Sequence, residues 1–107
     1  MMEITATELK ERLDKGEDII LLDIRQEFEL QIACLDNTLH IPGEEVPARL
    51  AELETFREKD IVVYCRTGMR SQGTTAFLLS RGFQRVFNLT GGIYAWSDDV
   101  DPTVMKY

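Results

Sequence analysis

Two short runs of apolar residues, 19–22 and 61–65, constrain the fold of this chain more than any other feature. The first run continues through Asp23 to Ile24 and has apolar residues at successive positions, so both faces of a strand there would be apolar. Strands of that kind occur in parallel sheets whose two faces are both covered by helices. Each run is also far shorter than the roughly 20 residues of a membrane-spanning helix. The pattern predicts an α/β fold and no transmembrane segment.

Helical patterns lie between these strands. Thr5 and Glu8 have the spacing of a capping box and predict the start of a first helix. Phe28 and Ile32 predict a second helix, and apolar residues at helical spacing predict a third from about residue 44 to residue 53, with Pro47 in its first turn. Further helices are predicted at 71–81 and 93–96, and further strands at 39–41, 60–64 and 86–89. The alternation predicts a mostly parallel sheet of about five strands with helices on both faces.

Length and overall charge limit the number of domains and the classes of partner. The chain has 107 residues, which suits a single domain over residues 1–107. Its net charge of −7 should repel nucleic acids and anionic membrane surfaces, so we expect neither as a partner. The first residues form neither a basic leader nor an apolar stretch, which favours a cytoplasmic protein.

The charged residues are unevenly distributed along the chain. Residues 61–96 contain no Asp or Glu, whereas Arg66, Arg70, Arg81 and Arg85 all lie within them. This part of an otherwise acidic chain is therefore cationic. Two explanations stay open at this point: a buried segment that excludes acids, or a binding site for anions.

Cysteine and histidine are too sparse for a transition-metal site. Cys34 and Cys65 are far apart in the sequence and form no Cys-x-x-Cys pair. The single histidine, His40, leaves too few soft ligands for a metal and removes the usual general base of a catalytic triad. We therefore expect neither a bound metal nor a triad.

Cys65 has the strongest catalytic pattern in the chain. It follows a predicted strand, and Arg66, Gly68 and Arg70 separate it from a predicted helix. An ordinary thiol is mostly protonated at neutral pH, so a nucleophilic cysteine needs positive potential around it. The arginine charges, the helix N-terminus and a tight turn of backbone N–H groups would supply that potential. We predict that Cys65 is a nucleophile rather than a buried, unreactive thiol, and that Cys34 is filler or a surface thiol.

Other residues near the loop have simpler interpretations. Ser71 is placed either to cap the following helix or to donate to a bound anion. Tyr64 and Met69 are interpreted as packing or rim residues. Asp23 and Arg25 stand at the end of a central strand, where an ion pair or an N-cap is expected.

Residues 64–71, with the sequence YCRTGMRS, resemble the active-site loop of the rhodanese-type sulfurtransferases. Three other segments are similar to the family's patterns in the same order, namely LDIR at 22–25 with Glu29, Ile41-Pro42, and NLTGGIYAW at 88–96. The resemblance implies a rhodanese-like fold and a persulfide of Cys65 as the sulfur carrier, with no metal or organic cofactor. It implies that sulfur and its donor are bound by the loop residues Arg66, Thr67, Gly68, Met69, Arg70 and Ser71.

The resemblance also implies the class of reaction and of partner. Sulfur would pass from a small anionic donor such as thiosulfate, or from a protein persulfide, to a thiophilic acceptor, and Arg66 and Arg70 would steer an anionic donor. Residues 96–107 resemble the tail of rhodanese domains attached to enzymes that adenylate sulfur-carrier proteins. A sulfur-carrier protein or a cysteine desulfurase is therefore the implied protein partner.

The chain departs from the family pattern at residues 32–38, where many members have a histidine. We expect altered packing or donor preference there rather than loss of activity, because that histidine does not carry the sulfur. His40 lies close by in sequence and is interpreted as a structural or partly exposed residue.

Three alternatives to sulfur transfer remain at this point. A cysteine-dependent phosphatase or arsenate reductase would use a Cys-x5-Arg loop, whereas Cys65 and Arg70 have four residues between them. The shorter loop suits a single sulfur better than a phosphoryl group, whose oxygens all need donors. The loop could instead belong to a non-catalytic module that binds a partner's anionic tail. A redox sensor would require Cys34 and Cys65 to come within disulfide distance.

Overall fold

Strands and helices alternate along the chain in the computed structural model, which describes residues 2–107. The strands are β1 (Glu3–Ile4), β2 (Ile19–Asp23), β3 (Thr38–His40), β4 (Asp60–Tyr64) and β5 (Val86–Leu89). The α-helices are α1 (Ala6–Asp14), α2 (Glu27–Ile32), α3 (Ala51–Glu54), α4 (Arg70–Ser80) and α5 (Gly92–Asp99), with a short 3₁₀ helix at Gly43–Glu45.

The five strands form one sheet in the order β1-β5-β4-β2-β3. Every neighbouring pair is parallel, which confirms the predicted α/β class. The two-residue strand β1 was not among the predicted strands. Its residues Glu3 and Ile4 pair with Asn88 and Leu89 of β5, a contact between the two ends of the chain that local pattern does not reveal.

Alternate residues of β4 pack into cores on opposite faces of the sheet. Ile61, Val63 and Cys65 face one core, to which α4 contributes. Val62 and Tyr64 face the other, to which α1 and α5 contribute. Because strand side chains alternate with a period of two, this register places Cys65 on the α4 face.

The first helix begins as predicted. The Thr5 hydroxyl accepts the Glu8 N–H at 3.1 Å, and the Glu8 carboxylate accepts the Thr5 N–H at 2.8 Å. The second predicted helix is present as α2, but Phe28 and Ile32 are exposed, by 66% and 38%. The buried side of α2 carries Glu29 instead, so the apolar spacing identified the helix but not its inner face.

The prediction of one continuous third helix from residue 44 to residue 53 is wrong. The chain forms a 3₁₀ helix at Gly43–Glu45, then turns, and only then α3. Pro47 has no N–H to donate, and the neighbouring bonds reach three residues back, as from Val46 to Gly43 and from Leu53 to Leu50. The apolar positions still pack inward, since Val46 and Leu53 are buried.

None of the helices within residues 2–107 combines the length and the apolar character that crossing a membrane requires.

Candidate functional site

Cys65 lies at the carboxyl end of β4, directly after the last residue of that strand. Only 1% of its surface is exposed. Its carbonyl oxygen accepts the Ile93 N–H of α5 at 2.9 Å, and its side chain faces α4. In parallel sheets this edge is where ligands bind.

Two donors converge on the Cys65 sulfur. The Gly68 N–H lies 3.2 Å from Sγ, and the Ser71 hydroxyl oxygen lies 3.4 Å from it. Burial alone would raise the pKa of the thiol, but hydrogen bonds from Ser71, Gly68 and Thr67 outweigh it and hold the pKa below its ordinary value. The thiolate is therefore stabilised mainly by hydrogen bonds, whereas the sequence had suggested arginine charge as a principal source.

Glycine is required where the loop turns back. Gly68 has a φ of +91°, and a Cβ there would come within 3.0 Å of the Gly91 nitrogen and 3.1 Å of the Leu89 oxygen. The constraint is tighter at Gly92, whose added Cβ would come within 2.5 Å of the Cys65 carbonyl oxygen. The N-terminus of α5 thus packs directly against the backbone of the loop.

Ser71 is buried and does not cap α4, which begins at Arg70 without a side-chain cap. Its hydroxyl oxygen also lies within hydrogen-bonding distance of the amide oxygen of Asn88 on β5, so its single proton is shared between that oxygen and the sulfur. The Asn88 amide nitrogen donates to the Gly68 carbonyl at 3.1 Å and to the Glu3 carboxylate at 3.2 Å. Asn88 therefore contacts both residues whose donors reach the sulfur, whereas in the sequence it stands out only as part of the segment at 88–96.

Arg70 is paired with a buried carboxylate. Its two terminal nitrogens lie 3.1 and 2.9 Å from the two oxygens of Glu29 on α2. Burial alone would raise the pKa of Glu29, but Arg70 and the Gln26 N–H outweigh it, so the pKa lies below its ordinary value. The positive charge of Arg70 is largely neutralised by this pair.

Arg66 is exposed and held by aromatic rings. Its guanidinium carbon lies 5.0 Å from the ring centre of Tyr94 and 5.1 Å from that of Tyr107. Its Nε donates to the Tyr94 hydroxyl at 3.0 Å. No carboxylate within residues 2–107 forms an ion pair with Arg66. Its charge is therefore available at the surface beside Cys65.

The remaining predicted loop residues divide by exposure. Thr67 and Met69 are exposed, and Met69 is 70% so, while Gly68 is buried against the loop. The seven predicted residues, 65–71, form the connection from β4 into the first turn of α4. The structure adds four residues that the sequence did not single out as site residues: Glu29, Asn88, Tyr94 and Tyr107.

The geometry agrees with what the comparison with protein families shows. The family described as "Rhodanese-like domain" matches residues 5–99. This chain belongs to the rhodanese-like family.

Several relatives of this rhodanese-like protein are sulfurtransferases. A sulfurtransferase of Allochromatium vinosum is 39% identical over 95 residues, which cover 89% of this chain and 87% of that protein. The putative sulfurtransferase YtwF of Bacillus subtilis is 32% identical over 100 residues, 94% of each chain. The adenylyltransferase and sulfurtransferase MOCS3-2 of Zea mays is 38% identical over 109 residues, which cover 97% of this chain but 23% of that protein.

A solved structure confirms the rhodanese-like fold. The crystal structure of a rhodanese-related protein from Thermoplasma volcanium matches with a TM-score of 0.82 and 30% identity, over 94% of each chain. Together with the relatives, this membership supports sulfur transfer as the general activity of the chain.

The expected ion pair of this rhodanese-like protein is present behind the loop. Asp23 and Arg25 are both fully buried, and their charged groups are 2.6 Å apart at Oδ2 and Nη2. His40 is half-buried, and its Nε2 lies 2.7 Å from the Arg25 carbonyl oxygen, so that nitrogen carries the hydrogen. His40 therefore contacts backbone, as its structural interpretation predicted.

Cys34 and Cys65 are both free thiols. Cys34 is exposed in a groove of about 580 Å³ whose walls include Leu13 of α1 and Trp96 of α5. Cys65 is not among the residues of that groove. Within residues 2–107, no group of three or more His, Cys, Asp or Glu side chains is arranged to hold a metal ion.

Proposed function

We propose that this rhodanese-like protein is a sulfurtransferase in which Cys65 carries the transferred sulfur as a persulfide. The observation that supports the proposal is the convergence of the Gly68 N–H and the Ser71 hydroxyl on Sγ. These two hydrogen-bond donors stabilise the thiolate form of Cys65, which is the form that attacks a sulfur-donating substrate. The N–H groups of the same turn can also stabilise the negative charge of a persulfide.

The reaction divides into two displacements. The Cys65 thiolate attacks the outer sulfur of thiosulfate, the sulfur–sulfur bond of thiosulfate breaks, and sulfite leaves with the bonding electrons. A thiophilic acceptor such as cyanide then attacks the terminal sulfur of the persulfide. The new sulfur–sulfur bond breaks, thiocyanate leaves, and the Cys65 thiolate is restored.

We assign different binding roles to different loop residues. We assign the contact with an anionic donor mainly to Arg66, because its guanidinium has no carboxylate partner within the described residues. Thr67, Gly68 and Ser71 would hold the transferred sulfur through N–H and hydroxyl groups. Arg70 would act chiefly by fixing the loop to Glu29, and Met69 would line the rim.

The natural acceptor or donor is proposed to be a protein of sulfur metabolism, either a sulfur-carrier protein or a cysteine desulfurase. The support is that the Zea mays relative is named as an adenylyltransferase and sulfurtransferase. Since this chain spans about a quarter of that relative, the proposal concerns the partner of the rhodanese-like part alone.

Phosphatase activity fits the site less well. An arginine that stabilises a transferred phosphoryl group must direct its N–H groups at that group. Both terminal nitrogens of Arg70 are instead bonded to Glu29.

Turnover with two substrates tests the proposal. We expect thiocyanate from thiosulfate and cyanide, and no comparable hydrolysis of an aryl phosphate. Cys65→Ser should abolish thiocyanate formation, while Cys34→Ser, the matched control at the other free cysteine, should retain it. Equal turnover by the wild type and Cys65→Ser, or aryl phosphate hydrolysis alone, would contradict the proposal.

A further inference from the structure

Tyr107 is far from Cys65 in sequence but contacts side chains that surround the Cys65 loop. Its backbone N–H donates to the Tyr94 hydroxyl at 2.9 Å, and its ring meets the Tyr94 ring edge to face at 5.9 Å. Just before it, the Ser97 hydroxyl donates to the Val104 carbonyl at 2.7 Å. The segment is therefore fixed to α5 rather than loosely placed.

The Tyr107 hydroxyl connects two ion pairs of the site. It accepts from Nη1 of the buried Arg25 at 2.8 Å and donates to Oε1 of Glu29 at 3.2 Å. Glu29 is the carboxylate that binds Arg70. The hydroxyl thus uses both its donor and its acceptor capacity on the Arg70 side of the loop.

The ring of the same residue contacts the other arginine. The Arg66 guanidinium carbon lies 5.1 Å from the Tyr107 ring centre. Tyr107 therefore contacts both Arg66 and the Glu29–Arg70 pair and lies between the two arginines of the loop.

We propose that Tyr107 is a specificity-determining residue that favours compact anionic sulfur donors over donors with bulky substituents. The inference rests on the proposed sulfurtransferase function. Two effects contribute. The ring holds Arg66 in position for an anion, and its bulk excludes an aryl group from the space beside the loop.

The test compares thiosulfate with benzenethiosulfonate in the full chain. For Tyr107→Ala we expect KM for thiosulfate to rise about two- to fivefold with kcat little changed, since one exposed cation–π contact is lost. The kcat/KM for benzenethiosulfonate should not fall, so the preference shifts toward the aryl donor. Tyr107→Phe keeps the ring and should keep the wild-type preference, while Tyr107→Leu should shift it like Tyr107→Ala. An equal loss with both donors in Tyr107→Ala and Tyr107→Leu would overturn the proposal.

A second measurement does not depend on sulfur transfer. In a Cys34→Ser background, the alkylation rates of Cys65 by iodoacetamide and by the bulkier N-phenyliodoacetamide report access to the thiol. The rate ratio of the bulky to the small reagent should rise in Tyr107→Ala and stay at the wild-type value in Tyr107→Phe. If no variant transfers sulfur but the ratio shifts, the sulfurtransferase function is refuted while the exclusion of bulky groups by Tyr107 is supported. An unchanged ratio would overturn the proposed exclusion of bulky groups by Tyr107.

Discussion

The two arginines of the Cys65 loop lie on sides of the site that are built differently. On the Arg70 side, the guanidinium forms a two-point ion pair with Glu29, whose side chain is 7% exposed. On the Arg66 side, the guanidinium rests against Tyr94 and Tyr107 without a carboxylate in the described chain. The two arginines carry the same formal charge, but only the charge of Arg66 is left without an acidic partner in the described chain. On the Arg70 side the guanidinium is held by a carboxylate, and on the Arg66 side it is exposed against aromatic rings, where we propose that it meets an anionic donor.

The largest expected effect comes from disturbing the backbone of the Arg66 side. Gly92→Ala places a Cβ within 2.5 Å of the Cys65 carbonyl oxygen at a φ of +60°. We expect a loss of about 3 kcal/mol in the free energy of unfolding, from strain and overpacking together. Chemical denaturation measures it.

Gly73 of α4 is the matched control on the Arg70 side. Its added Cβ would meet no atom within 4 Å, so Gly73→Ala should raise the free energy of unfolding by about 0.5–1 kcal/mol through helix propensity. Equal effects at the two glycines would show that α5 does not press on the loop as the structure indicates.

The second effect is a loss of activity with thiosulfate when the unpaired charge of Arg66 is removed. Arg66→Ala should lower kcat/KM for thiosulfate by about 10- to 100-fold, the size of a lost charge-assisted hydrogen bond. Arg81→Ala is the control, because Arg81 also stacks on an aromatic ring, Phe77, but follows the far end of α4. Similar losses in the two variants would mean that general charge, and not Arg66, attracts the donor.

The third effect is a loss of stability when Arg70, the ion-pair partner of Glu29, is removed. Arg70→Ala should lower the free energy of unfolding by about 1–2 kcal/mol, because Glu29 is left buried and unpaired while solvent screens part of the pair. The pKa of Glu29 is lowered in the folded protein. The stabilisation is therefore complete above the pKa of the unfolded chain and lost as pH falls through the folded value. Denaturation curves of both proteins should converge in acid, and a constant difference down to low pH would contradict the ion-pair account.

The smallest effect concerns the thiol itself. The alkylation rate of Cys65 in a Cys34→Ser background should rise with pH through a midpoint below that of an ordinary thiol, because hydrogen bonds lower its pKa. Ser71→Ala removes one of these donors and should move the midpoint to higher pH. A midpoint that stays the same would show that the Ser71 hydroxyl donates its hydrogen bond to Asn88 and not to the Cys65 sulfur.

Much of the site was predictable because its elements are local. Residues 61–64 alternate into both cores as a buried strand, and the loop and α4 follow at once in the sequence. Thr5 and Glu8 likewise meet within one helical turn. In each case the residues that interact are neighbours along the chain, so the sequence pattern was sufficient to predict the element.

The parts that sequence did not reveal depend on residues that the fold brings together. Glu29 reaches Arg70 across 41 positions, and Tyr107 reaches Arg25 across 82. No local spacing encodes such contacts, and the aromatic contacts of Arg66 depend on where α5 and the tail lie. Whether an arginine of the loop is paired or available therefore became visible only in the structure.

Mass spectrometry of the intact protein after incubation with thiosulfate shows whether Cys65 carries sulfur. We expect an added mass of one sulfur atom on the wild type and on Cys34→Ser, removed by cyanide, and none on Cys65→Ser. No added sulfur on the wild type, or the same addition on Cys65→Ser, would rule out a persulfide of Cys65 as the carrier.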